Sequence, residues 1–132
     1  MSHLLACRLR RTPSSILSAE SIDSLFVGTL PEGAIDQDHN AGIYAMLRVE
    51  RGLGAVDWST ALCLYQGSGQ KAGWGRYPGS VGWAGAGGTE YWLDERAGIA
   101  VVMTTQVLPV FSKAVAAMKE RLERAIYEEL AI

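Results

Sequence analysis

The chain has 132 residues, of which 48% are hydrophobic, 20% charged and 8% aromatic. This length fits one domain and excludes two of ordinary size, and the composition is that of a globular protein rather than a disordered or fibrous one. With 12 Lys and Arg against 14 Asp and Glu, the formal net charge is -2, so the chain lacks the basic excess of a nucleic-acid-binding protein and no nucleic-acid partner is expected.

The N-terminal part of the sequence predicts a short lead-in followed by a helix. Residues 1–16 are polar and rich in turn-forming residues, so they predict a loose lead-in with little to bury and leave 17–132 as the folded domain. Ser18 is a favourable N-cap, and apolar side chains follow it at helical spacing, which predicts a helix that ends at Gly28 and Pro31. These apolar residues are Ile22, Leu25 and Phe26.

The middle of the sequence predicts two strands and a long glycine-rich stretch. Apolar residues alternate from 43 to 47 and form a continuous run from 61 to 65, and both patterns are typical of strands. Nine of the 15 glycines lie between Gly67 and Gly88, which indicates either a surface loop or backbone that must approach a neighbour closely. Three tryptophans at nine-residue intervals fit either an aromatic binding surface or packing on a sheet. They are Trp74, Trp83 and Trp92.

Two further strands and a helix are predicted in the C-terminal part. Residues 89–93 are rich in aromatic and branched side chains, 94–98 form a turn, and 99–105 are apolar enough for burial on both faces, so an antiparallel hairpin is predicted. From Ser112, a favourable N-cap, the sequence is an amphipathic helix. Its expected buried face consists of Val115, Met118, Leu122 and Ile126. The predicted fold class is α+β, an antiparallel sheet of about three strands packed by the C-terminal helix.

The two cysteines and the N-terminal residues bear on metal binding and location. Cys7 and Cys63 are far apart, and neither lies in a CxxC pair or next to a histidine at ligand spacing, so no metal site is predicted. Two buried free thiols in a reducing compartment are expected, with a disulfide between them as the alternative. The apolar run from 4 to 7 is too short for a signal peptide or a membrane span. We therefore expect a cytoplasmic protein without a cofactor, a metal or membrane contact.

A search for a catalytic nucleophile finds one weak pattern. Ser68 and Lys71 have the Ser-x-x-Lys spacing, in which a lysine one helical turn further on activates a serine. That chemistry needs a helical turn, whereas these residues lie among glycines, so a solvated loop is the preferred interpretation and a catalytic pair the alternative. His39 has no serine elbow to serve, and we interpret it as a structural loop residue.

The segment from Gly79 to Pro109 resembles the C-terminal part of the serine β-lactamase and penicillin-binding-protein superfamily. The similarity is to the class C-like esterases and fungal transesterases, in which a Trp-x-Gly strand replaces Lys-Thr-Gly, as in residues 83–85 here. A second strand of that branch, ending in Trp-Ile-Asp, is similar to residues 89–94. A third ends in Thr-Gln or Ser-Gln, as at 105–106. At lower specificity the resemblance covers residues 17–130 in order.

The resemblance implies a serine esterase or transesterase that moves or cleaves the acyl group of a small ester, as in secondary metabolism. In the complete fold a backbone amide just after the third motif joins the amide of the nucleophile in an oxyanion hole, and by position that amide belongs to Ala86. The implied substrate-binding residues are Trp83, Ala84, Gly85 and Gly87, and Trp83 in place of the lysine favours hydrophobic acyl esters. The alternative is a glycine-softened edge strand without a ligand.

The resemblance also implies catalytic parts that this sequence does not show. The family takes its nucleophilic Ser, its activating Lys and its Tyr base from motifs upstream of the matched segment, so we expect a partial β-lactamase-like domain without its own nucleophile. The competing hypothesis is a non-catalytic paralogue or gene-model fragment that acts, if at all, as a binding or interaction module. In the family the strand that matches 99–105 has a neighbour from the N-terminal part, so self-association through an exposed edge is expected here.

Overall fold

The computed structural model of the chain describes residues 1–31, 34, 56–66, 75–109 and 112–130. Within these ranges there are three helices, α1 (Ser2–Arg8), α2 (Ala19–Ser24) and α3 (Lys113–Glu129). The same ranges contain five strands, β1 (Val56–Trp58), β2 (Cys63–Tyr65), β3 (Val81–Ala84), β4 (Glu90–Asp94) and β5 (Ile99–Met103). The strand predicted from 43 to 47 lies outside the described residues.

The five strands form one antiparallel sheet in the order β1-β2-β3-β4-β5. Each strand therefore pairs with its neighbour along the chain, and the register places Trp92 of β4 between Gly82 of β3 and Val101 of β5. The predicted hairpin of the last two strands is confirmed. The α+β class with an antiparallel sheet and a C-terminal helix is also confirmed, with five described strands in place of about three.

Neighbouring side chains along a strand point to opposite faces of the sheet. Both faces pack against helices. On one face Leu64, Val81 and Leu93 pack against Leu5 of α1 and against Phe26, which follows α2. On the other face Tyr77, Trp92 and Met103 pack against Tyr127 of α3. The sheet thus has a face toward α1 and α2 and a face toward α3. None of the described helices is long and apolar enough to span a bilayer.

The prediction of a loose lead-in over residues 1–16 is wrong for its first half. Residues 2–8 form α1, which buries Leu5 and Cys7. Arg8 anchors this helix, since its guanidinium forms ion pairs with Asp23 of α2 and with Glu95 beyond β4. The apolar run that is too short for a signal peptide lies within α1 and buries Cys7 and Leu5, of which Leu5 packs against the sheet.

Both helix caps and both free thiols that the sequence predicts are present. The Ser18 side chain accepts a hydrogen bond from the Ser21 amide at the start of α2, and the Ser112 side chain accepts one from the Val115 amide at the start of α3. Cys7 and Cys63 are buried and free. A contact that the sequence analysis did not anticipate places His3 Nε2 3.5 Å from the sulfur of Cys7, one helical turn away.

The buried face of α3 differs from the predicted one. Met118 and Leu122 are exposed, at 45% and 43% of their accessible surface. The side chains that face the sheet recur every four residues and are Val115, Lys119, Glu123 and Tyr127. The prediction is correct for Val115 and for Ile126, which packs against the core, but wrong for Met118 and Leu122. It assigned every charged residue to solvent, whereas Lys119 and Glu123 have buried partners of opposite charge.

β5 is also less buried than its composition predicts. Val102 is 60% exposed, and within the described residues the only strand beside β5 is β4. Residues 97–106 carry no charged side chain and no proline, so this edge lacks the features that usually prevent pairing with another strand. An apolar, uncharged edge of five residues is suited to antiparallel pairing with a second copy of itself.

We therefore expect the isolated chain to self-associate through β5, as measured by sedimentation velocity across a concentration series. A Val102→Lys change should weaken the self-association constant by about tenfold or more, because charge on an edge strand opposes pairing. Val107→Lys, at a residue equally exposed but outside the strand, serves as the control and should leave self-association unchanged. A wild-type chain that stays monomeric at every concentration contradicts this prediction.

Candidate functional site

The candidate site is the turn that joins β3 to β4. The Gly85 amide donates to the Thr89 carbonyl over 2.8 Å, and the Gly88 amide donates back to the Gly85 carbonyl over 3.0 Å. Between them Ala86 and Gly87 are exposed. No acceptor within the described part of the chain takes the Ala86 amide. The predicted oxyanion donor is thus a solvent-facing amide at the tip of a tight, hydrogen-bonded turn.

Glycine is required at the end of this turn for two separate reasons. Gly88 has a φ of +85°, and a side chain there would collide with the Thr105 side chain. The Thr105 hydroxyl donates to the Gly88 carbonyl over 3.2 Å. A Cβ at Gly85 would lie 2.6 Å from the Thr89 hydroxyl oxygen. The turn and the Thr-Gln motif after β5, which the sequence places 17 residues apart, are therefore in direct contact.

Trp83 and a second tryptophan, Trp58, form a pair of aromatic rings beside the turn. We name this pair the aromatic wall. The ring of Trp83 lies 4.7 Å from that of Trp58 of β1, with the two planes tilted by 56°. Trp83 pairs with Tyr91 across β3 and β4, so the side chains of Trp83 and Tyr91 lie on the sheet face toward α1 and α2. Both tryptophans are partly exposed. The sequence analysis did not single out Trp58, and its short strand gives no spacing that relates it to Trp83.

The other predicted site residues are distributed differently. Ala84 is buried on the face toward α3, because it is adjacent to Trp83 along the strand and pairs with Glu90. The structure therefore does not bring the Ala84 side chain to the aromatic wall. Trp92 is fully buried toward α3, so the stripe of tryptophans is split between the two faces. Ser68, Lys71 and Trp74 lie outside the described residues.

A buried group of four charged side chains lies under the turn, on the face toward α3. We name it the four-charge cluster, and its members are Arg76, Glu90, Lys119 and Glu123. Arg76 donates to Glu90 over 2.8 Å and to both oxygens of Glu123 over 3.1 and 3.0 Å. Lys119 Nζ lies 3.2 Å from the second oxygen of Glu90. Burial alone would lower the pKa of Arg76, but the two glutamates outweigh it and raise that pKa above its usual range.

A second polar contact between the sheet and α3 continues this cluster along β4. The Tyr127 hydroxyl donates to Asp94 over 2.7 Å and accepts from the Trp92 ring nitrogen over 3.1 Å. Asp94 also accepts from the Tyr77 amide over 2.9 Å. Burial and the neighbouring Asp94 carboxylate raise the pKa of Tyr127 above its usual range, so this hydroxyl remains a donor and has no role as a general base at neutral pH.

The described nucleophilic side chains near the site are engaged in structural contacts. Cys63 and Ser80 line a small cavity beside Arg76 and Trp92. Burial raises the pKa of the Cys63 thiol to about 12, although Arg76 opposes the shift, so the thiol stays protonated at neutral pH and is a poor nucleophile. The Ser80 hydroxyl donates to the Tyr77 carbonyl. Neither side chain is placed for acyl transfer.

Comparison of the sequence with protein-family models and with curated proteins gives no match. Among solved structures the chain is similar to simvastatin synthase (LovD) from Aspergillus terreus. The LovD6 mutant has a TM-score of 0.74 and 20% identity, and the match covers 97% of this chain and 32% of that chain. Unliganded LovD has a TM-score of 0.71 and 18% identity, with 96% and 33% covered.

These similarities establish the fold of the chain. Nearly all of it superposes on LovD, so the β-lactamase-like fold implied by residues 79–109 is confirmed. The chain spans about a third of the length of the solved chains that it matches. Fold similarity at this level of identity assigns no activity, which has to be argued from the site itself.

The turn itself can be tested by two substitutions at neighbouring glycines. Gly88→Ala should destabilise the chain by about 1–3 kcal/mol, because alanine disfavours a positive φ and its methyl group meets Thr105. Gly87→Ala is the matched control, since no atom lies within 4 Å of a Cβ there, and it should change stability by less than about 0.5 kcal/mol. Urea unfolding measures both values, and equal effects at the two positions would contradict the described turn.

Proposed function

We propose that this chain forms one wall of the active site of a β-lactamase-like serine esterase or acyltransferase. The observation that carries the proposal is the Ala86 amide, which faces solvent from a turn held by the Gly85 and Gly88 hydrogen bonds. Its place directly after the Trp83-Ala84-Gly85 match gives this amide the position of the family's oxyanion donor. The fold shared with simvastatin synthase agrees with the β-lactamase-like part of this proposal, and the class of reaction rests on the turn and its amide.

The proposed reaction is two-step acyl transfer through an acyl-serine. The serine oxygen bonds to the ester carbonyl carbon while its proton passes to a base, and the carbonyl oxygen becomes an oxyanion. The Ala86 amide donates to that oxyanion together with the amide of the nucleophile. Collapse of this intermediate breaks the ester bond and releases the alcohol, and a second alcohol or water then takes the acyl group from the serine. In this proposal the serine and its base lie outside the present sequence.

The substrate class follows from the aromatic wall. Trp83 and Trp58 offer partly exposed apolar rings beside the turn, and the cation–ring contacts within the described residues involve Phe26, Trp92 and Tyr77 instead. A hydrophobic acyl chain would bury apolar surface against the two tryptophan rings, which supply no charge to pair with the carboxylate of an opened β-lactam. We therefore propose a small ester with a hydrophobic acyl group, of the secondary-metabolite type.

The first test concerns the nucleophile. The purified chain should neither react with a fluorophosphonate probe nor hydrolyse a short-chain chromogenic ester above background, because an oxyanion donor without an attacking group gives little turnover. Peptide mass spectrometry locates any label. Stoichiometric labelling of Ser68, with turnover that disappears in Ser68→Ala, would show that the chain is a minimal enzyme and would contradict the proposed division of the catalytic residues.

The second test concerns the oxyanion donor. In the 15N-labelled chain, titration with a short-chain ester should shift the Ala86 amide resonance more than those of residues outside the turn. Gly85→Val should abolish this shift by placing a side chain against Thr89, and in a longer chain that carries the nucleophile it should lower turnover by ~100-fold or more. Ala117→Val, on the exposed side of α3, is the control. A normal shift or normal turnover in Gly85→Val would contradict the assignment.

A further inference from the structure

We infer that Glu90 is a positioning residue, which holds the turn of Gly85 to Gly88 and its Ala86 amide in a fixed place relative to α3. This inference rests on the proposed role of Ala86, since positioning matters only if that amide acts as a donor. The Glu90 side chain contacts Arg76 and Lys119, and it would act on the turn through the backbone to which it belongs.

The surroundings of the Glu90 carboxylate restrict its movement. Glu90 is 1% exposed, and its two oxygens face different cations. One accepts from Arg76 over 2.8 Å and the other lies 3.2 Å from Lys119. Because each oxygen is tied to a separate group, the side chain can neither rotate nor shift along the strand without breaking an ion pair. Loss of such a partner from a buried carboxylate strongly destabilises the folded protein.

Arg76 connects Glu90 to α3. The Arg76 guanidinium and backbone amide both donate to Glu123, and the guanidinium also lies 4.3 Å above the Trp92 ring. The cluster contains two carboxylates and two cations, so the charges balance inside the fold. Its contacts join β4, the segment before β3 and two successive turns of α3 into one unit. The helix is thereby fixed to the first residue of β4 by directional contacts, as well as by apolar packing.

The path along the backbone from Glu90 to the turn is short. Glu90 pairs with Ala84, the last residue of β3, and follows Thr89, whose carbonyl accepts from the Gly85 amide. Gly85 is hydrogen-bonded to Thr89, and Gly88 is joined to Thr89 by the peptide bond. Both ends of the turn are therefore connected to the residue directly before Glu90. Apolar side chains in place of all four charged residues could fill the same space and would avoid the desolvation of four charges. What the ion pairs add is a unique register between the helix and the end of the sheet.

The test compares two isosteric changes at opposite ends of β4. In Glu90→Gln, 15N relaxation should show the order parameters of Ala86 and Gly87 falling from about 0.85 toward about 0.6, with residues 95–98 unaffected. Asp94→Asn is the matched control, since Asp94 is equally buried and holds the Ala97 amide, and it should loosen residues 95–98 while leaving the turn at 85–88 unchanged. If both variants loosen both turns alike, Glu90 has no local role.

A second variant separates positioning from general stability. Removal of the Glu90 charge leaves Lys119 without its carboxylate, whereas Glu90→Gln combined with Lys119→Met leaves Arg76 and Glu123 as a balanced pair. The double variant should unfold cooperatively at a urea concentration close to that of wild type. The order parameters of Ala86 and Gly87 should nevertheless stay as low in it as in Glu90→Gln. A rigid turn in this folded variant overturns the inference. Failure of both variants to fold also overturns it, because the cluster would then support the whole fold rather than the turn.

These measurements need no ester, so they are independent of the proposed function. An Ala86 amide that never responds to ester, in a chain whose turn loosens on Glu90→Gln, would refute the proposed function and leave the positioning of the turn intact. An Ala86 amide that responds equally in wild type and in the double variant would support the proposed function and overturn the role of Glu90.

Discussion

The structure depends on the polar contact between β4 and α3. Three alternate side chains of the strand face three side chains that recur every four residues along the helix. On the strand these are Glu90, Trp92 and Asp94, and on the helix they are Lys119, Glu123 and Tyr127. The period of two in the strand and the spacing of four in the helix bring the two rows into register. Arg76 lies between them and bonds to both rows. Charge balance therefore decides where the helix lies on the sheet.

The opposite face of the sheet is held in a different way. There α1 and the residues that follow α2 contribute apolar side chains to the cluster around Val81 and Leu93. Arg8 of α1 forms partly exposed ion pairs at the margin with Asp23 of α2 and with Glu95. Exposed ion pairs contribute little to stability, so the packing on this face is mainly hydrophobic. The proposed site lies at the end of β3, where a strand supported by ionic contacts on one side and by apolar packing on the other passes into the turn.

The sequence predicts those parts of this arrangement that depend on local patterns. The hairpin of β4 and β5 follows from aromatic and branched residues around a turn, and the caps at Ser18 and Ser112 follow from short-range chemistry. The buried face of α3 could not be predicted in the same way. Lys119 and Glu123 are normally solvent-facing residues, and their burial depends on Arg76 and Glu90, more than 25 residues earlier in the sequence. The partnership of Trp58 with Trp83 is likewise visible only once β1 and β3 lie in one sheet.

The charged inner face of α3 also bears on the order in which the chain folds. The helix follows all five described strands along the chain, and before it docks Lys119 and Glu123 of its inner face are fully hydrated. A helix with such a face gains little from early, non-specific collapse, because burial of any one charge is unfavourable until its partner is in place. Docking is therefore favourable only on a sheet that already presents Glu90 and Arg76 together. The ion pairs that fix the final register therefore also make the docking of α3 depend on the earlier formation of β4.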